Sequence, residues 1–545
     1  MKKSIAIVCA ILLILPVLLT ACQPESTEPT TKTVTVSFDI NYDGGVNPKA
    51  QTVEQGKTVE LPAVSRDEFD FDGWYTASTG GTFVGFDGYD YTANSDVTLY
   101  AHWDAKQKED PSDPTDPDPG DTTPTESKTI VFYTAMNTKI SNIVYDAIES
   151  FETKYPDWEV KCTNLFGMDL ADEQILADLQ VNKQPDIAFC YSDYVAKYIQ
   201  TGKVVDLSKF VNSTETVNGQ LVGYTASEQA DFVPVFWNDG IAGHTYGNYD
   251  VYGYDYNSMF TLPFTKSTEV MYYNKTVLDR LELQPAATWD ELWQQCEIIT
   301  RNYPRCIPIA YDSESYWFIT MCEQNGWGYT TAQGYDHFLF NNDNTAQWLT
   351  QLQGYYNMRY FTTFELYGAY SSNLFNLGAE NGGCVYSIYT SSAASYYNSG
   401  NFEVGVAQIP ASVGGNNHSI AQGSSLVMFS NDSYTNADER EMMTFLLMKE
   451  LLDPVIQAQL LVVNNNISVR SSVYDLAGVQ DYLNGTEVPQ QTAKLVQTVL
   501  DDLFTTPVIT NSAQARIQVG KALYYAMKGD KTAAQALSDA YNNCR

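Results

Sequence analysis

Apolar and polar residues alternate with a period of two in short runs at residues 34–38, 57–61 and 97–101, with turn signals such as Asp43-Gly44-Gly45 between them. That pattern predicts half-buried strands and a small all-β or β-grasp-like unit over residues 33–104. Over residues 105–128 periodicity vanishes, and Pro111, Pro114, Pro117, Pro119 and Pro124 stand among Asp113, Asp116, Asp118 and Asp121. Proline fixes φ and like charges repel, so this segment reads as an extended linker. The same prolines deny it the turn of an EF-hand calcium loop. From residue 129 the period changes: a buried strand at 129–133, then Ile143, Val144, Ala147, Ile148 and Phe151 on one helical face. A strand at 158–162, a helix through Ile175, Leu176 and Leu179, and a strand at 186–190 follow. A β-α-β-α-β order with short connections predicts a parallel sheet covered by helices, with ligands at the carboxyl ends of its strands. That rule singles out Thr134 after the first strand, and Ser192, Asp193 and Tyr194 after the third.

Lys2 and Lys3 precede an apolar run over 5–19, short of the roughly 20 residues of a spanning helix, so residues 1–21 read as an export signal. Leu19-Thr20-Ala21-Cys22 resembles the bacterial lipobox. The resemblance implies cleavage before Cys22, a lipid such as palmitate on its thiol, and a tether over 22–32.

Composition narrows the function classes. Of 545 residues, 66 are Asp or Glu and 31 Lys or Arg, a formal charge of −35 that repels polyphosphates and argues against nucleic acid. With 44% hydrophobic residues the acidity is a solvated surface over a substantial core. Tyrosine is abundant at 39, a side chain that offers a flat apolar face and a hydroxyl to wet binding surfaces. Beyond Cys9 and Cys22 the seven cysteines form no CxxC pair, so neither a zinc site nor a dense disulfide framework is supported. A single bridge such as Cys296–Cys306 stays open. The histidines His102, His244, His337 and His418 are scattered, and there is no GxSxG, HExxH or phosphate loop.

Two stretches carry a family resemblance. Gly56-Lys57-Thr58-Val59, Leu61-Pro62, Phe71-Asp72-Gly73-Trp74-Tyr75-Thr76 and Leu99-Tyr100-Ala101-His102-Trp103 resemble the internalin-type B-repeat of bacterial surface proteins. Trp74 and Trp103 are read there as core residues before ligand platforms. Leu262-Pro263-Phe264-Thr265-Lys266-Ser267-Thr268-Glu269-Val270-Met271-Tyr272-Tyr273-Asn274-Lys275, with Thr288-Trp289-Asp290-Glu291-Leu292 after it, resembles the family 1 extracellular solute-binding proteins, the sugar receptors of ABC importers. Thr288 and Glu291 also predict a capping box. The resemblance, over 129–545, implies an α/β fold of two lobes, the periplasmic-binding-protein-like type II fold, closing on ligand by hinge motion. Lobe 1 is expected at about 129–264 and 405–460, lobe 2 at about 265–400 and 465–545, and the crossovers near 261–269 and 398–408.

The resemblance also nominates cleft residues. Ser267 and Thr268 offer hydroxyls at the hinge, with N-capping as the alternative. Trp317 offers a stacking face for a sugar, against core packing. Ser391 follows an apparent strand, where it either bonds ligand or closes a turn. Gly423 permits close approach and Ser424 adds a donor. Asp193 can accept two sugar hydroxyls, and Arg470 either reaches the cleft or makes a surface ion pair. With only Lys266 and Arg470 in view as cations, a neutral sugar or oligosaccharide is favoured over a glycerol-phosphate-type ligand. The chain is therefore expected to be a lipid-anchored receptor on the extracellular face of the cell membrane. It would deliver carbohydrate to an ABC permease, without cofactor, metal or catalysis. A surface glycoside hydrolase is the competing class, since two carboxylates at catalytic separation are easily supplied, and a carbohydrate-directed adhesin is another.

Overall fold

The computed structural model describes residues 32–105 and 126–545, apart from positions 43, 67–68, 80–82, 86–89, 94, 166 and 399. The export signal, Cys22 and nearly all of the tether and linker lie outside the described residues. The chain divides into two units between residues 121 and 122. No helix among the described residues is long and apolar enough to cross a membrane.

The first unit is β-rich. Its five-stranded sheet runs Gln51–Glu54, Thr33–Asp39, Val97–Ala105, Phe69–Tyr75, Phe83–Gly85, and its first and last long strands lie parallel from Val36 beside Val97 to Asp39 beside Tyr100. The period-two pattern works as expected: Val34, Val36 and Phe38 turn inward while their neighbours face out. Trp74 is fully buried, edge-on to Phe38 at 5.0 Å, and its Nε1 donates to the Pro62 carbonyl at 3.1 Å. It is a core residue.

In the second unit the strand Thr129–Thr134 lies between Glu159–Asn164 and Ile187–Cys190, parallel to both, as the β-α-β-α-β pattern predicts. All four residues of Ile187–Cys190 are buried because both faces of the sheet are covered. The helix Thr138–Lys154 starts where the Asn137 side chain accepts from the Lys139 and Ile140 amides, and it packs Ile143, Val144, Ala147 and Phe151 into the core. Of the capping box at Thr288, one half forms. Thr288 Oγ1 accepts from the Glu291 amide at 3.2 Å, but Glu291 reaches the Ala287 amide instead.

Two long strands tie the lobes together. Thr261–Asn274 begins beside Ser419–Met428, with Thr261 opposite Val427 and Thr268 opposite Ala421. It ends between Tyr386–Thr390 and Val404–Ala407 in the second lobe. The first crossover lies where expected. The second is Ser419–Met428, not 398–408, because Val404–Ala407 pairs with Met271–Asn274 and so belongs with the second lobe. A third connection passes through Leu503–Phe504, parallel to Ser419–Ile420, and on to the helix Ser512–Lys528. The second lobe's core gathers Trp289, Leu292, Tyr311, Trp317 and Phe361 with Ala515, Val519 and Leu523 of that last helix. A fully buried aliphatic or aromatic side chain contributes roughly 1.5–3 kcal/mol, so this cluster stabilises the second lobe.

Candidate functional site

The crossing strands form the floor of a cleft of about 1040 Å³ between the lobes. Gly423 lies opposite Lys266 with φ +107°, and a Cβ there would stand 1.9 Å from the Thr265 carbonyl oxygen. Only glycine permits this approach. Lys266, buried to 3% exposure, donates to Ser425 Oγ at 2.9 Å and lies 3.7 Å from Asp239 Oδ2. Ser192 Oγ donates to the same Asp239 oxygen at 2.5 Å. Burial pushes the Lys266 ammonium down and the Asp239 carboxyl up, and each is partly offset by the other's charge.

The first-lobe wall is the start of the helix Ser192–Ile199, at the carboxyl end of Ile187–Cys190, together with the helix Met168–Gln180. Tyr194 donates its hydroxyl to Asp169, and Lys197 pairs with Asp172 at 2.8 Å. Burial and the Asp169 hydrogen bond hold the Tyr194 phenol far above its ordinary range. The opposite wall comes from Glu314, Ser315 and Tyr316, set by Ser313 capping the Tyr316 amide, and from Arg516, Gly520, Lys521, Tyr524 and Tyr525. Arg516 Nε donates to Asp193 Oδ2 at 2.7 Å, its Nη2 to Thr506 Oγ1 at 3.1 Å, and its guanidinium lies 5.1 Å from the Tyr316 ring centre. Seven carboxylates (Asp169, Asp172, Glu173, Asp193, Asp239, Glu314, Glu365) line the cleft against the cations Lys197, Lys266, Arg516 and Lys521. Lys197, Lys266 and Arg516 are each paired with one of these acids. Among the described residues no cluster of acids, His and Cys is arranged to hold a metal ion.

Of the residues nominated from sequence, Ser192, Asp193, Tyr194 and Gly423 line this cleft. Asp193 does so with one carboxylate oxygen already engaged by Arg516. The others do not. Thr134 is wholly buried beside Cys162. Thr268 is wholly buried, with its hydroxyl on the Ile420 carbonyl and its amide on Ser391 Oγ, which consumes Ser391 as well. Ser267 and Ser424 are buried in the crossing strands, Ser424 sharing a hydrogen bond with Thr265. Trp317 is the clearest correction. It has no exposed surface and stacks on Tyr311 at 4.8 Å with Phe361 edge-on at 5.0 Å, so its ring belongs to the second lobe's core. Arg470 is held by Asp231 at 2.7 Å and covers Phe232, away from the cleft. The cations at the site are therefore Lys197, Lys266, Arg516 and Lys521, not Lys266 and Arg470.

Sequence reasoning missed Asp239, Tyr191, Tyr316 and the face of the helix Ser512–Lys528. Tyr191 directly precedes the nominated Ser192, Asp193 and Tyr194, and the tyrosine count was a signal for it. The late helix reaches the cleft only through the third connection, which no local pattern announces.

The sequence profile described as bacterial extracellular solute-binding protein matches residues 146–486, and that of the Listeria-Bacteroides repeat domain matches residues 35–102. None of the curated proteins matches the chain in sequence. Among solved structures, the chain is similar to the GacH receptor of Streptomyces glaucescens, solved unliganded and with acarbose (TM-score 0.58, 15% identity, covering 76% of this chain and 96% of that one). It is similar to UgpB of Mycobacterium tuberculosis in complex with glycerophosphocholine (TM-score 0.60, 15% identity, 77% and 98%). A third is the ABC substrate-binding protein Lmo0181 of Listeria monocytogenes in complex with cycloalternan (TM-score 0.60, 15% identity, 77% and 98%). At these identities the likeness is one of fold.

Proposed function

The chain belongs to the bacterial extracellular solute-binding proteins, and from that premise we propose that it is the receptor of an ABC importer, closing on a neutral carbohydrate and passing it unaltered to a permease. The observation that carries the ligand class is the lining of the cleft. Tyr191, Tyr316, Tyr524 and Tyr525 present rings and hydroxyls, while carboxylates supply acceptors for sugar hydroxyls. A phosphate group needs cations to spare, and three of the four here are already paired with acids. Tyr316 and Tyr191 are the stacking faces in this reading, with Ser192, Asp193 and Gln422 as polar partners. Anchoring follows from Cys22: a lipid on its thiol would hold the receptor at the extracellular face of the membrane, beside its permease. Cys22→Ala should then release the protein from membranes.

Calorimetric titration of the full chain with a panel of mono- and oligosaccharides tests the ligand class. Saturable one-to-one heat without turnover supports it, and a bound ligand at a hundredfold excess over Kd should stabilise the fold by about 2.7 kcal/mol. Heat and thermal shift from a phosphate ester or peptide, with none from any saccharide, would replace it. Hydrolysis of an oligosaccharide would return the glycoside hydrolase reading.

A further inference from the structure

Two hydroxyls of the cleft have their hydrogen-bond roles assigned by neighbours that can act in one sense only. A Ser or Thr hydroxyl has one hydrogen to donate and lone pairs to accept with, whereas an ionised carboxylate only accepts and a guanidinium only donates. Ser192, half-buried on the first-lobe wall, donates to Asp239 Oδ2 at 2.5 Å. The Lys266 ammonium, 3.7 Å from that oxygen, favours the ionised, accepting form of Asp239. With its hydrogen spent, Ser192 meets the cavity with lone pairs alone. Thr506 lines the same cavity in the opposite sense. Its Oγ1 accepts from Arg516 Nη2 at 3.1 Å, and among the described residues nothing accepts its hydrogen, which is left for a ligand.

One chain of contacts links the two hydroxyls. Ser192 is joined in sequence to Asp193, whose Oδ2 takes Arg516 Nε at 2.7 Å, and the same guanidinium holds Thr506. Both ends of the chain are fixed. Asp239 is buried where it closes the short helix Pro234–Asn238. On the other side Pro507 biases the Thr506 backbone to an extended form, and Val508 donates to the Thr245 carbonyl and accepts from the Gly247 amide, each at 2.8 Å.

We propose that Asp239 and Arg516 are positioning residues that set the hydrogen-bond polarity of the cleft, so that Ser192 takes only a ligand group that donates and Thr506 only one that accepts. This rests on the carbohydrate reading above. It adds the rule by which the cleft tells one substituent from another. A sugar hydroxyl can play either part, but fluorine cannot donate and fails against Ser192, while a protonated amine cannot accept and fails against Thr506. In each case a polar group of the closed cleft is left without a partner.

The test is calorimetry on the full chain with D-glucose, D-galactose, D-mannose, maltose and cellobiose, then with the monodeoxyfluoro and monoamino forms of whichever binds, substituted at each hydroxyl in turn. Wild type should show one position at which fluorine weakens binding roughly tenfold while the amine stays within about threefold of the parent sugar, and a second at which the amine is the one refused. Ser192→Ala should abolish the discrimination at the first position alone, and Thr506→Val that at the second alone. Asp239→Asn, whose amide can donate to Ser192 and free its hydrogen, should lift the fluorine penalty at the first position and leave the second as it was. A merely structural loss would instead weaken the parent and its analogues by one common factor. If Asp239→Asn does not melt cooperatively by circular dichroism, the two hydroxyl variants decide alone. Equal losses from fluorine and amine at every position, or discrimination that survives both Ser192→Ala and Thr506→Val, overturns the polarity rule and leaves the carbohydrate reading standing. No binding of any saccharide overturns both.

Discussion

Asp193 and Arg516 join the two lobes directly: the carboxylate at the start of the helix Ser192–Ile199 accepts from the guanidinium of the helix Ser512–Lys528 at 2.7 Å. Ser512 Oγ adds a bond to the Asp193 carbonyl at 3.1 Å. The Asp193 side chain is 10% exposed and that of Arg516 21%, so water screens the pair poorly. Removing one partner strands the other. Arg516→Gln should therefore lower stability by about 2–4 kcal/mol, discounted for the part of Arg516 that still meets solvent. The double variant Asp193→Asn/Arg516→Gln should recover much of that loss, because no charge is left buried alone. Chemical denaturation of wild type, Asp193→Asn, Arg516→Gln and the double variant gives the coupling energy, and strict additivity would show that the two residues do not support one another.

Trp317 separates core from cleft. A large-to-small change at a fully buried Trp costs about 3–5 kcal/mol, and Trp317→Ala should lose that much in the unliganded protein. Its buried Nε1 has no hydrogen-bond partner, so Trp317→Phe gives up no polar contact and should cost markedly less. Saccharide affinity of the folded Phe variant should stay close to wild type. A large drop in affinity with unchanged stability would put the ring back in the cleft.

The contrast between Trp317 and Tyr316 shows how far the sequence was legible. Period and spacing placed the strands at 129, 159 and 187, and the strand-end rule placed Ser192 and Asp193 at the cleft, because both depend on local order. Which of two adjacent aromatics faces solvent depends on the phase of the helix Glu314–Asn325, and that phase is set by Tyr311 and Phe361 from elsewhere in the chain. The same holds for Ser391 and Thr268. Their hydroxyls bond within the crossing region, a pairing formed by strands far apart in sequence. For Arg470 the sequence left cleft contact and an ion pair both open, because its partner, Asp231, is brought up only by the tertiary fold.

Gly423 should tolerate no side chain. Its φ of +107° is strained for any L residue, and the Thr265 carbonyl occupies the place of a Cβ. Gly423→Ala should cost at least about 1–3 kcal/mol of backbone strain and spread the two crossing strands at the floor of the cleft. Melting temperature and ligand affinity should fall together. Full affinity in a protein of unchanged stability would show that the crossover does not need the close approach.

Glu269 makes stability depend on pH. It lies on the strand Thr261–Asn274 just past the crossing, 3% exposed, where it accepts from Tyr311 at 2.6 Å and from Thr320 at 3.4 Å. Burial pushes its carboxyl up to about 8 from an ordinary 4.5, against the lowering effect of those two hydroxyls, and nearby Asp312 adds to the rise. The folded chain thus keeps a proton between about pH 4.5 and 8 that the unfolded chain has lost. Binding more protons when folded means that this contribution is complete below about pH 4.5 and is lost as pH rises to about 8. The slope is about 1.4 kcal/mol per pH unit, and the total is on the order of 5 kcal/mol. Glu269→Gln has nothing to titrate. Other groups cancel in the difference between the two proteins, so the wild type should lose stability relative to the variant steadily from pH 5 to 8 and differ by a constant amount above that. Denaturation midpoints at pH 5, 6, 7 and 8 decide it, and parallel curves for the two proteins would mean that Glu269 is ionised in the fold.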